Sequence, residues 1–345
     1  MLSASSSFPA PLEAAPAGSA LRDQFGRTID YLRVSLTDAC NLRCVYCMPE
    51  NARFLPRHQL LSDDELLRLL RLFAELGFRK VRFTGGEPTL RSSLVEIVRA
   101  TAALPGVENI GLTTNGVLLS SLAEPLQRAG LHSVNISIDT LVPDRFGRIT
   151  RCGRLDDVLA GVEAAGRAGL KVKINCVVCR GLNDGGDVLA LARLTLAHDW
   201  QVRFIEEMPF RKSGRNEQLQ PVPQAEMMAK LEREFGALQP LHGGRLEGEA
   251  RVYQLSGARG SVGFISPVSN PFCGDCNRLR LTADGELRMC LLRDDEVQLR
   301  MPLRTGADDD TLRETIRGAV LHKPWGHGLP DHVHPSNRTM AQIGG

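Results

Sequence analysis

A repeated alternation of strand-like and helix-like segments constrains the fold of this chain more than any other feature. The strand-like segments are short, apolar and bounded by polar residues or glycine: KVRFTGG, IGLTTNG, SVNISIDT, LKVKINCVVC and QVRFIEEM. Amphipathic stretches such as LLRLLRLFAELG and LDDVLAGVEAAGRAG run between them. This alternation predicts a parallel sheet covered by helices. Because about six units fit, we expect an α/β fold with a partial (β/α)6 TIM-type barrel rather than a complete barrel of eight.

Polar residues follow four of the predicted strands. They are Thr84–Glu87, Thr113–Asn115, Ser137–Asp139 and Glu206–Met208. In βα barrels the active site lies at the carboxyl ends of the strands. Any one of these groups is compatible with ordinary turn chemistry, but four of them on one face predict a functional site there.

The chain divides into three predicted regions. Residues 1–22 form a tail rich in Ala, Ser and Pro that has no Lys or Arg before Arg22, and we expect it to be disordered. It lacks the early charge and apolar core of a secretory signal and the arginines of a mitochondrial transit peptide, so we expect a cytoplasmic protein. Residues 23–210 form the barrel. Residues 211–345 form a C-terminal extension, in which Asp284-Gly285 indicates a hairpin.

Charge and hydropathy exclude several classes of protein. The 345 residues, 43% of them hydrophobic, are sufficient for a sizeable core. The net charge is only +2, from 42 basic and 40 acidic residues, which argues against a protein that coats nucleic acid. No apolar run approaches the roughly 18 to 20 residues of a membrane span. We therefore expect neither nucleic acid nor membrane as a partner.

The first of two cysteine clusters has the spacing C-x3-C-x2-C, at Cys40, Cys44 and Cys47. Without a signal peptide, clustered cysteines indicate metal or redox chemistry rather than disulfides. A helix would spread the three thiols over about 10 Å along its axis, and Pro49 follows closely, so a loop around one metal centre is favoured. Structural zinc generally takes four protein ligands. Three thiolates suit a [4Fe–4S] cluster with one open iron.

This motif, with Tyr46 before its third cysteine, resembles the signature of the radical S-adenosylmethionine (SAM) superfamily. Thr84-Gly85-Gly86-Glu87-Pro88 resembles the GGEP motif of that superfamily. The resemblance implies that SAM binds the open iron through its amino and carboxylate groups. One-electron reduction then yields methionine and a 5′-deoxyadenosyl radical, which takes hydrogen from the substrate.

The second cluster is C-x2-C-x13-C, at Cys273, Cys276 and Cys290. The predicted hairpin lies between the last two cysteines and can return the third thiol to the others. Half of a zinc ribbon is an open alternative, although it needs a fourth ligand from elsewhere in the fold. Three ligands again indicate a [4Fe–4S] cluster with an open iron.

With both cysteine clusters, the chain resembles the GTP 3′,8-cyclase family of molybdenum-cofactor biosynthesis. The similar segments run from about Phe25 to the C-terminus and include FGRTIDYLRVSLTDACNLRCVYCMP, VRFIEEM, CNRLRLTADGELRMCL and the terminal IGG. The resemblance implies that the second cluster binds guanine and that ribose C3′ bonds to guanine C8. It further implies an electron donor, a homodimer, transfer of the product to cyclic pyranopterin monophosphate synthase, and a Gly344-Gly345 tail that enters the active site.

The resemblance also assigns site residues. Arg278 and Arg280 are two apart on a predicted strand, so both side chains share one face, and the family assigns them to GTP binding and catalysis. The residues implied for GTP are Arg33, Arg82, Thr113, Lys173, Arg278, Leu279 and Arg280. The residues implied for SAM are Tyr46, Gly86, Ser137 and Met208.

Three cysteines lie outside both clusters. Cys176 and Cys179 spell a second C-x2-C, but they lie in a strand-like segment where residues three apart point to opposite faces, so we interpret them as core residues. Cys152 has no assigned role. Two other functions are open: another radical SAM enzyme with an auxiliary cluster, such as a peptide modifier, and a non-catalytic iron–sulfur or zinc protein.

Overall fold

The structure, a computed structural model, describes residues 21–210, 219–241, 246–329 and 338–344. Its strands are β1 (Leu21–Arg22), β2 (Thr28–Ile29), β3 (Tyr31–Ser35), β4 (Lys80–Thr84), β5 (Asn109–Thr114), β6 (Ser133–Ser137), β7 (Lys171–Val178), β8 (Gln201–Glu206), β9 (Gln239–Pro240), β10 (Leu246–Glu247), β11 (Ala250–Gln254), β12 (Ser261–Ile265), β13 (Arg278–Leu281), β14 (Glu286–Arg288) and β15 (Glu296–Gln298). Its helices are α1 (Asp63–Glu75), α2 (Leu94–Ala102), α3 (Leu119–Arg128), α4 (Pro143–Thr150), α5 (Leu155–Arg167), α6 (Gly186–Ala197), α7 (Gln224–Phe235), α8 (Arg300–Arg304), α9 (Asp309–Leu321) and α10 (Met340–Ile343).

Six consecutive parallel strands, β3 to β8, form the centre of one large sheet in the order of the chain. Helices connect them, and the strands bury apolar side chains such as Val34, Phe83 and Ile136. The predicted partial (β/α)6 barrel is confirmed.

The C-terminal extension continues this sheet at both edges. Strand β12 pairs in parallel with β8, and β13 pairs in parallel with β3. Beyond them, β10, β11, β14 and β15 extend the sheet with antiparallel pairings. The extension therefore shares the sheet of the barrel, and its strand β13 sets Arg278 and Arg280 in register with Tyr31 and Arg33 of β3.

Local signals in the sequence set the ends of particular elements. The Ser62 hydroxyl accepts from the Glu65 amide at 3.2 Å, and the Glu65 carboxylate accepts from the Ser62 amide at 2.8 Å, so α1 begins with a capping box. Gly77, at φ +90°, follows its end. In the β13–β14 hairpin the Thr282 amide donates to the Glu286 carbonyl, and Gly285 takes φ +79°. That turn directs the chain back toward Cys290.

The structure corrects one boundary near the N-terminus. Leu21 and Arg22, which we expected in a disordered tail, pair with Ile29 and Thr28 in a short antiparallel ribbon. Backbone hydrogen bonds hold the intervening turn, where the Asp23 carboxylate accepts from the Arg27 amide at 3.0 Å. The rest of the predicted tail, residues 1–20, lies outside the described residues. Among the helices that the structure describes, none combines the length and the apolar character needed to cross a membrane.

Candidate active site

One cavity of about 290 Å³ is lined by both cysteine clusters. The strand ends of β4 to β8 contribute to its wall, together with residues of β12 and β13. The predicted site residues that line it are Arg33, Cys40, Cys44, Tyr46, Cys47, Gly86, Thr113, Ser137, Met208, Cys273, Cys276, Arg278, Arg280 and Cys290. Segments far apart in the sequence thus converge on one cavity. The four strand-end groups contribute to it from the carboxyl edge of the sheet, as predicted, whereas Cys276 and Arg278 lie at the amino end of β13.

Three other predicted residues are buried beside this cavity rather than in its wall. The Arg82 guanidinium donates to the Tyr31 hydroxyl at 2.9 Å and to the Leu112 carbonyl at 3.0 Å. Lys173 is buried on β7. Leu279 lies in the hydrophobic core, so its side chain does not face the cavity.

The first cysteine cluster lies on an irregular loop, as predicted, and not on a helix. The end of α4 supports the loop from outside: the Arg43 and Val45 amides donate to the Thr150 and Ile149 carbonyls, each at 3.0 Å. Arg151, at φ +65°, turns the chain away directly after this contact.

Burial disfavours the thiolate form at this first cluster. It raises the pKa of Cys40 to about 11 and that of Cys47 to about 12. The pKa of Cys44 is also held well above its usual range, by burial first and then by Cys47 and Asp139. Metal ligation requires thiolates, so these three cysteines depend on a bound metal centre to stay deprotonated.

Glycine allows the GGEP loop to lie against the first cysteine loop. A Cβ atom at Gly86 would lie 2.4 Å from the carbonyl oxygens of Asp38 and Ala39. The Gly86 amide donates to the Thr37 carbonyl at 2.7 Å, and the Glu87 amide donates to the Ala39 carbonyl at 2.8 Å. The loop therefore needs glycine for close backbone approach.

Glu87 connects these loops from within the protein. Its carboxylate accepts from the Thr89 hydroxyl at 2.6 Å, the Thr114 hydroxyl at 2.7 Å and the Asn115 amide at 2.6 Å. The Asn115 side chain in turn donates to the Asn41 side chain at 2.7 Å. The motif indicated a ligand-binding loop, whereas the Glu87 side chain acts as a structural link among the barrel strand ends.

Asp139 is a site residue that the sequence analysis did not assign. Its carboxylate accepts from the Tyr46 hydroxyl at 2.6 Å and from the Val177 amide at 2.9 Å. Burial raises its pKa to about 6. Its position in the strand-end group Ser137–Asp139 was the available signal, but only the fold shows that it fixes Tyr46 at the cavity wall.

The second cysteine cluster is held by cations that the sequence analysis also missed. The Arg27 guanidinium donates to the carbonyls of Cys273 at 2.6 Å, Trp325 at 2.9 Å and Pro324 at 2.7 Å. The buried Lys323 ammonium donates to the Met289 carbonyl, directly before Cys290. No sequence signal links these distant residues.

Positive charge dominates the surroundings of the second cluster. Although burial alone would raise the pKa of Cys276, Arg278 and Lys323 lower it to about 6. Burial raises the pKa of Cys273. Burial and the charges of Arg33 and Arg278 lower the pKa of Arg280 to about 9. This part of the cavity therefore has a surplus of positive charge that suits an anionic ligand.

The remaining three cysteines do not line the cavity that the described residues form, although Cys152 contacts the loop of the first cluster. Cys176 and Cys179 are fully buried, as predicted. The Asn183 side chain lies 3.5 Å from the Cys176 sulfur and also donates to the Asp139 carbonyl at 2.9 Å. Cys152 is exposed, with its sulfur 3.3 Å from the Asn41 carbonyl oxygen.

The C-terminal segment reaches the same site. Met340 and Ala341 line the cavity, and a Cβ atom at Gly344 would lie 2.9 Å from Ser35 Cβ and 3.0 Å from Thr84 Cγ2. Gly345, the last residue of the predicted tail, lies outside the described residues.

The donor chemistry fits two iron–sulfur clusters and SAM. Each cysteine cluster supplies three thiols to the cavity, and thiolates are the usual ligands of [4Fe–4S] clusters. Within the described residues, no three Cys, His, Asp or Glu side chains converge tightly enough to share a single metal ion. Gly86 lies in the wall of the same cavity as Tyr46, Ser137 and Met208, the other residues predicted for SAM.

Comparison with known proteins defines the class first. Residues 34–194 match the family model of the radical SAM superfamily, and residues 200–329 match the model named Molybdenum Cofactor Synthesis C. The crystal structure of Streptococcus suis SuiB bound to S-adenosylmethionine has the same fold, with a TM-score of 0.60 and 15% identity, covering 84% of this chain and 68% of that chain. The chain is a radical SAM enzyme.

Curated relatives then define the family. The chain is 48% identical to the GTP 3′,8-cyclase of Heliobacterium modesticaldum, over 94% of this chain and 99% of the relative. It is 43% identical to that of Thermodesulfovibrio yellowstonii, over 94% of this chain and 100% of the relative. It is 44% identical to the mitochondrial GTP 3′,8-cyclase of Arabidopsis thaliana, over 96% of this chain and 85% of the relative. The chain belongs to the GTP 3′,8-cyclase family, and the predicted cofactors, two [4Fe–4S] clusters and SAM, are confirmed.

Proposed function

We propose that this chain converts GTP to (8S)-3′,8-cyclo-7,8-dihydroguanosine 5′-triphosphate, the first step of molybdopterin formation. The observation that carries the proposal is the single cavity between two cysteine clusters, with arginines at its wall. When bound, the first cluster and SAM would supply a 5′-deoxyadenosyl radical able to remove hydrogen from ribose C3′. Bonding of C3′ to guanine C8 opens the C8–N7 double bond, and one electron from the external donor and one proton at N7 complete the product. The residues of this chain position SAM and GTP relative to each other.

Two groups of residues hold the cofactor that initiates the reaction. The first cluster is held by Cys40, Cys44 and Cys47. SAM is held by Tyr46, Gly86, Ser137 and Met208. The hydrogen bond from Tyr46 to Asp139 fixes the phenol ring, and the absence of a Cβ at Gly86 lets the GGEP loop pack directly against the loop of the first cysteine cluster.

The second group holds the substrate. Cys273, Cys276 and Cys290 hold the second cluster beside guanine, and Lys323 balances the negative charge of their thiolates. Arg278 and Arg280 bind the ribose and phosphates and act in catalysis by stabilising charge after the new bond forms. Guanidinium groups suit this role because each presents several donors to phosphate oxygens.

The other residues of the GTP site are Arg33, Arg82, Thr113, Lys173 and Leu279. Arg33 and Thr113 line the cavity directly. Arg82 is in register with Arg33 on the neighbouring strand, and Lys173 is in register with Asn135, which lines the cavity. Leu279 contributes through its backbone, because its side chain packs in the core.

The enzyme works in the cytoplasm as a homodimer, takes electrons from a one-electron donor, and passes its product to cyclic pyranopterin monophosphate synthase. Family resemblance supports these partners.

Anaerobic incubation of the reconstituted protein with GTP, SAM and dithionite tests the function. We expect 5′-deoxyadenosine and a nucleotide with the mass of GTP but altered chromatography, and no cyclised product from ATP. Formation of 5′-deoxyadenosine without any change in GTP, under conditions where GTP binds, would refute the cyclase assignment and leave a radical SAM enzyme of another substrate.

A further inference from the structure

One carboxylate lies inside the arginine-rich part of the cavity. Glu249 is on the two-residue turn between β10 and β11, beside Gly248 at φ +70°. Its Oε1 atom is 2.9 Å from Arg278 Nη1 and 3.7 Å from Arg33 Nη1. Its side chain is only 14% exposed. Although burial would raise the pKa of Glu249, Arg278 and Arg33 hold it well below its usual range, so the group is a carboxylate anion.

This anion leaves donors of Arg278 without an acceptor in the described part of the chain. The Glu249–Arg278 contact is an ion pair without hydrogen-bond alignment at Oε1. Among the described residues, Nε and Nη2 of Arg278 and Nε of Arg280 are buried and have no hydrogen-bond acceptor. Two carboxylate oxygens cannot occupy the donors of several guanidinium groups. A polyphosphate offers more oxygens and more charge, so these donors fit a larger anion than Glu249.

The element that carries Glu249 can move with little loss of backbone pairing. Strand β10 has two residues and pairs with β11 through Leu246–Arg251 and Glu247–Ala250. Both strands lie outside the eight parallel strands that form the cavity wall. Withdrawal of the turn therefore leaves the parallel strands intact.

We propose that Glu249 is an internal competitor of the substrate: an anion that holds the arginine cluster in the absence of substrate and is displaced by the triphosphate of the incoming nucleotide. This proposal rests on the proposed function. Because Glu249 and the triphosphate compete for Arg278 and Arg33, Glu249 weakens the binding of every ligand that must displace it. A nucleoside without phosphates gains nothing from its removal.

The test measures binding to the anaerobically reconstituted enzyme by equilibrium dialysis. The probes are GTP, inorganic tripolyphosphate and guanosine, and the variant is Glu249→Gln, which keeps the shape and removes the charge. Removal of this competing ion pair should change affinity about tenfold, which corresponds to about 1.4 kcal/mol. We expect Glu249→Gln to bind GTP and tripolyphosphate roughly tenfold more tightly than the wild type does, by similar factors. Its affinity for guanosine should be unchanged.

The matched control is Glu108→Gln, which removes the same charge from an exposed ion pair with Arg79; it should change none of the three affinities. Without ligand, Glu249→Gln should melt at a lower temperature, because buried arginines lose their counter-ion, and tripolyphosphate should raise its melting temperature more than that of the wild type. If Glu249→Gln does not fold, Glu249→Asp, with a shorter reach to Arg278, should change binding in the same direction.

Two outcomes overturn the displacement proposal: unchanged binding of GTP and tripolyphosphate, or weaker binding, which would make Glu249 a ligand of the substrate. Either result can coexist with normal conversion of GTP, so the proposed function would stand. Conversely, tighter binding of tripolyphosphate with no cyclised product from GTP would support the role of Glu249 and refute the cyclase assignment.

Discussion

The two cysteine clusters face the same cavity but lie in opposite electrostatic surroundings. Around the first, burial and the carboxylate of Asp139 favour neutral thiols. Around the second, Arg278 and Lys323 favour the thiolate of Cys276. Net charge near an iron–sulfur cluster helps to set its reduction potential. We therefore predict a lower reduction potential for the first cluster than for the second.

The largest effect should come from removing one ligand at each site. Cys44→Ala should lose about half of the iron, from about eight atoms per chain, and all cleavage of SAM. Cys276→Ala should lose a similar amount of iron but still form 5′-deoxyadenosine, without cyclised nucleotide. Iron analysis measures the cluster content of each variant, and chromatography measures its 5′-deoxyadenosine and cyclised nucleotide. Cys152→Ala is the control and should retain all of its iron. Stoichiometric zinc at the second site after anaerobic purification would contradict the two-cluster assignment.

The next largest effect is expected at the arginines beside the second cysteine cluster. Arg280→Ala should weaken GTP binding or product formation roughly tenfold to a hundredfold, because charged hydrogen bonds contribute about 1.5–3 kcal/mol each. Iron content should stay the same, since no cysteine changes. Cleavage of SAM should continue while the yield of cyclised nucleotide falls further. Normal GTP binding and product formation in both Arg278→Ala and Arg280→Ala would remove the basis for the substrate site.

A substitution of Lys323 tests whether the positive charge beside the second cluster affects that cluster alone. Lys323→Met removes a buried cation beside the second cluster but keeps a long apolar side chain. We expect a lower reduction potential of the second cluster and faster loss of its iron to a chelator, with the first cluster unchanged. Anaerobic redox titration followed by electron paramagnetic resonance distinguishes the two sites. Lys171→Met, at the exposed start of β7, serves as control. Equal shifts in the reduction potentials of both clusters would contradict a local effect of Lys323 on the second cluster.

A smaller effect is expected at the cysteines outside both clusters. Cys176→Ser with Cys179→Ala should keep iron and GTP-dependent activity, because neither thiol lines the cavity that the described residues form. The buried hydroxyl and the lost sulfur contacts should lower the free energy of unfolding by about 1–3 kcal/mol. Denaturant unfolding under anaerobic conditions measures this loss. A folded double variant that lacks one cluster would mean that a third group of cysteines supports metal binding.

The smallest effect concerns the surface where the regions that carry the two clusters meet. Arg71 and Arg68, on α1, lower the pKa of Asp309 on α9 through hydrogen bonds. A lowered carboxyl pKa contributes stability above the unfolded value of about 3.9, and this contribution is lost as pH falls through the folded value. Asp309→Asn should therefore destabilise the protein at pH 7 by less than about 1 kcal/mol, and by less still near pH 3. A pH-independent loss in denaturant unfolding would contradict this ion-pair explanation.

Local patterns in the sequence were sufficient for several parts of the structure. The capping box of α1, the order of parallel strands β3 to β8 and the hairpin before Cys290 all follow from neighbouring residues, because hydrogen bonds within a turn and burial along one strand depend on short spacings. The convergence of the four strand-end groups on one cavity also followed, since parallel strands place their carboxyl ends at one edge. This rule gave no expectation for the second cysteine cluster, because Cys276 precedes the amino end of β13.

Contacts between distant segments were decided by the tertiary structure alone. The sequence determined two cysteine clusters, a barrel and a family; it did not reveal that Asp139 fixes Tyr46, that Lys323 and Arg27 hold the second cysteine cluster, or that Glu249 enters the arginine cluster. Each of these side chains is separated from its partner by a long stretch of chain and has no motif of its own. Their charges acquire a role only when folding removes water and brings them within a few ångströms of one another, where electrostatic interactions strengthen.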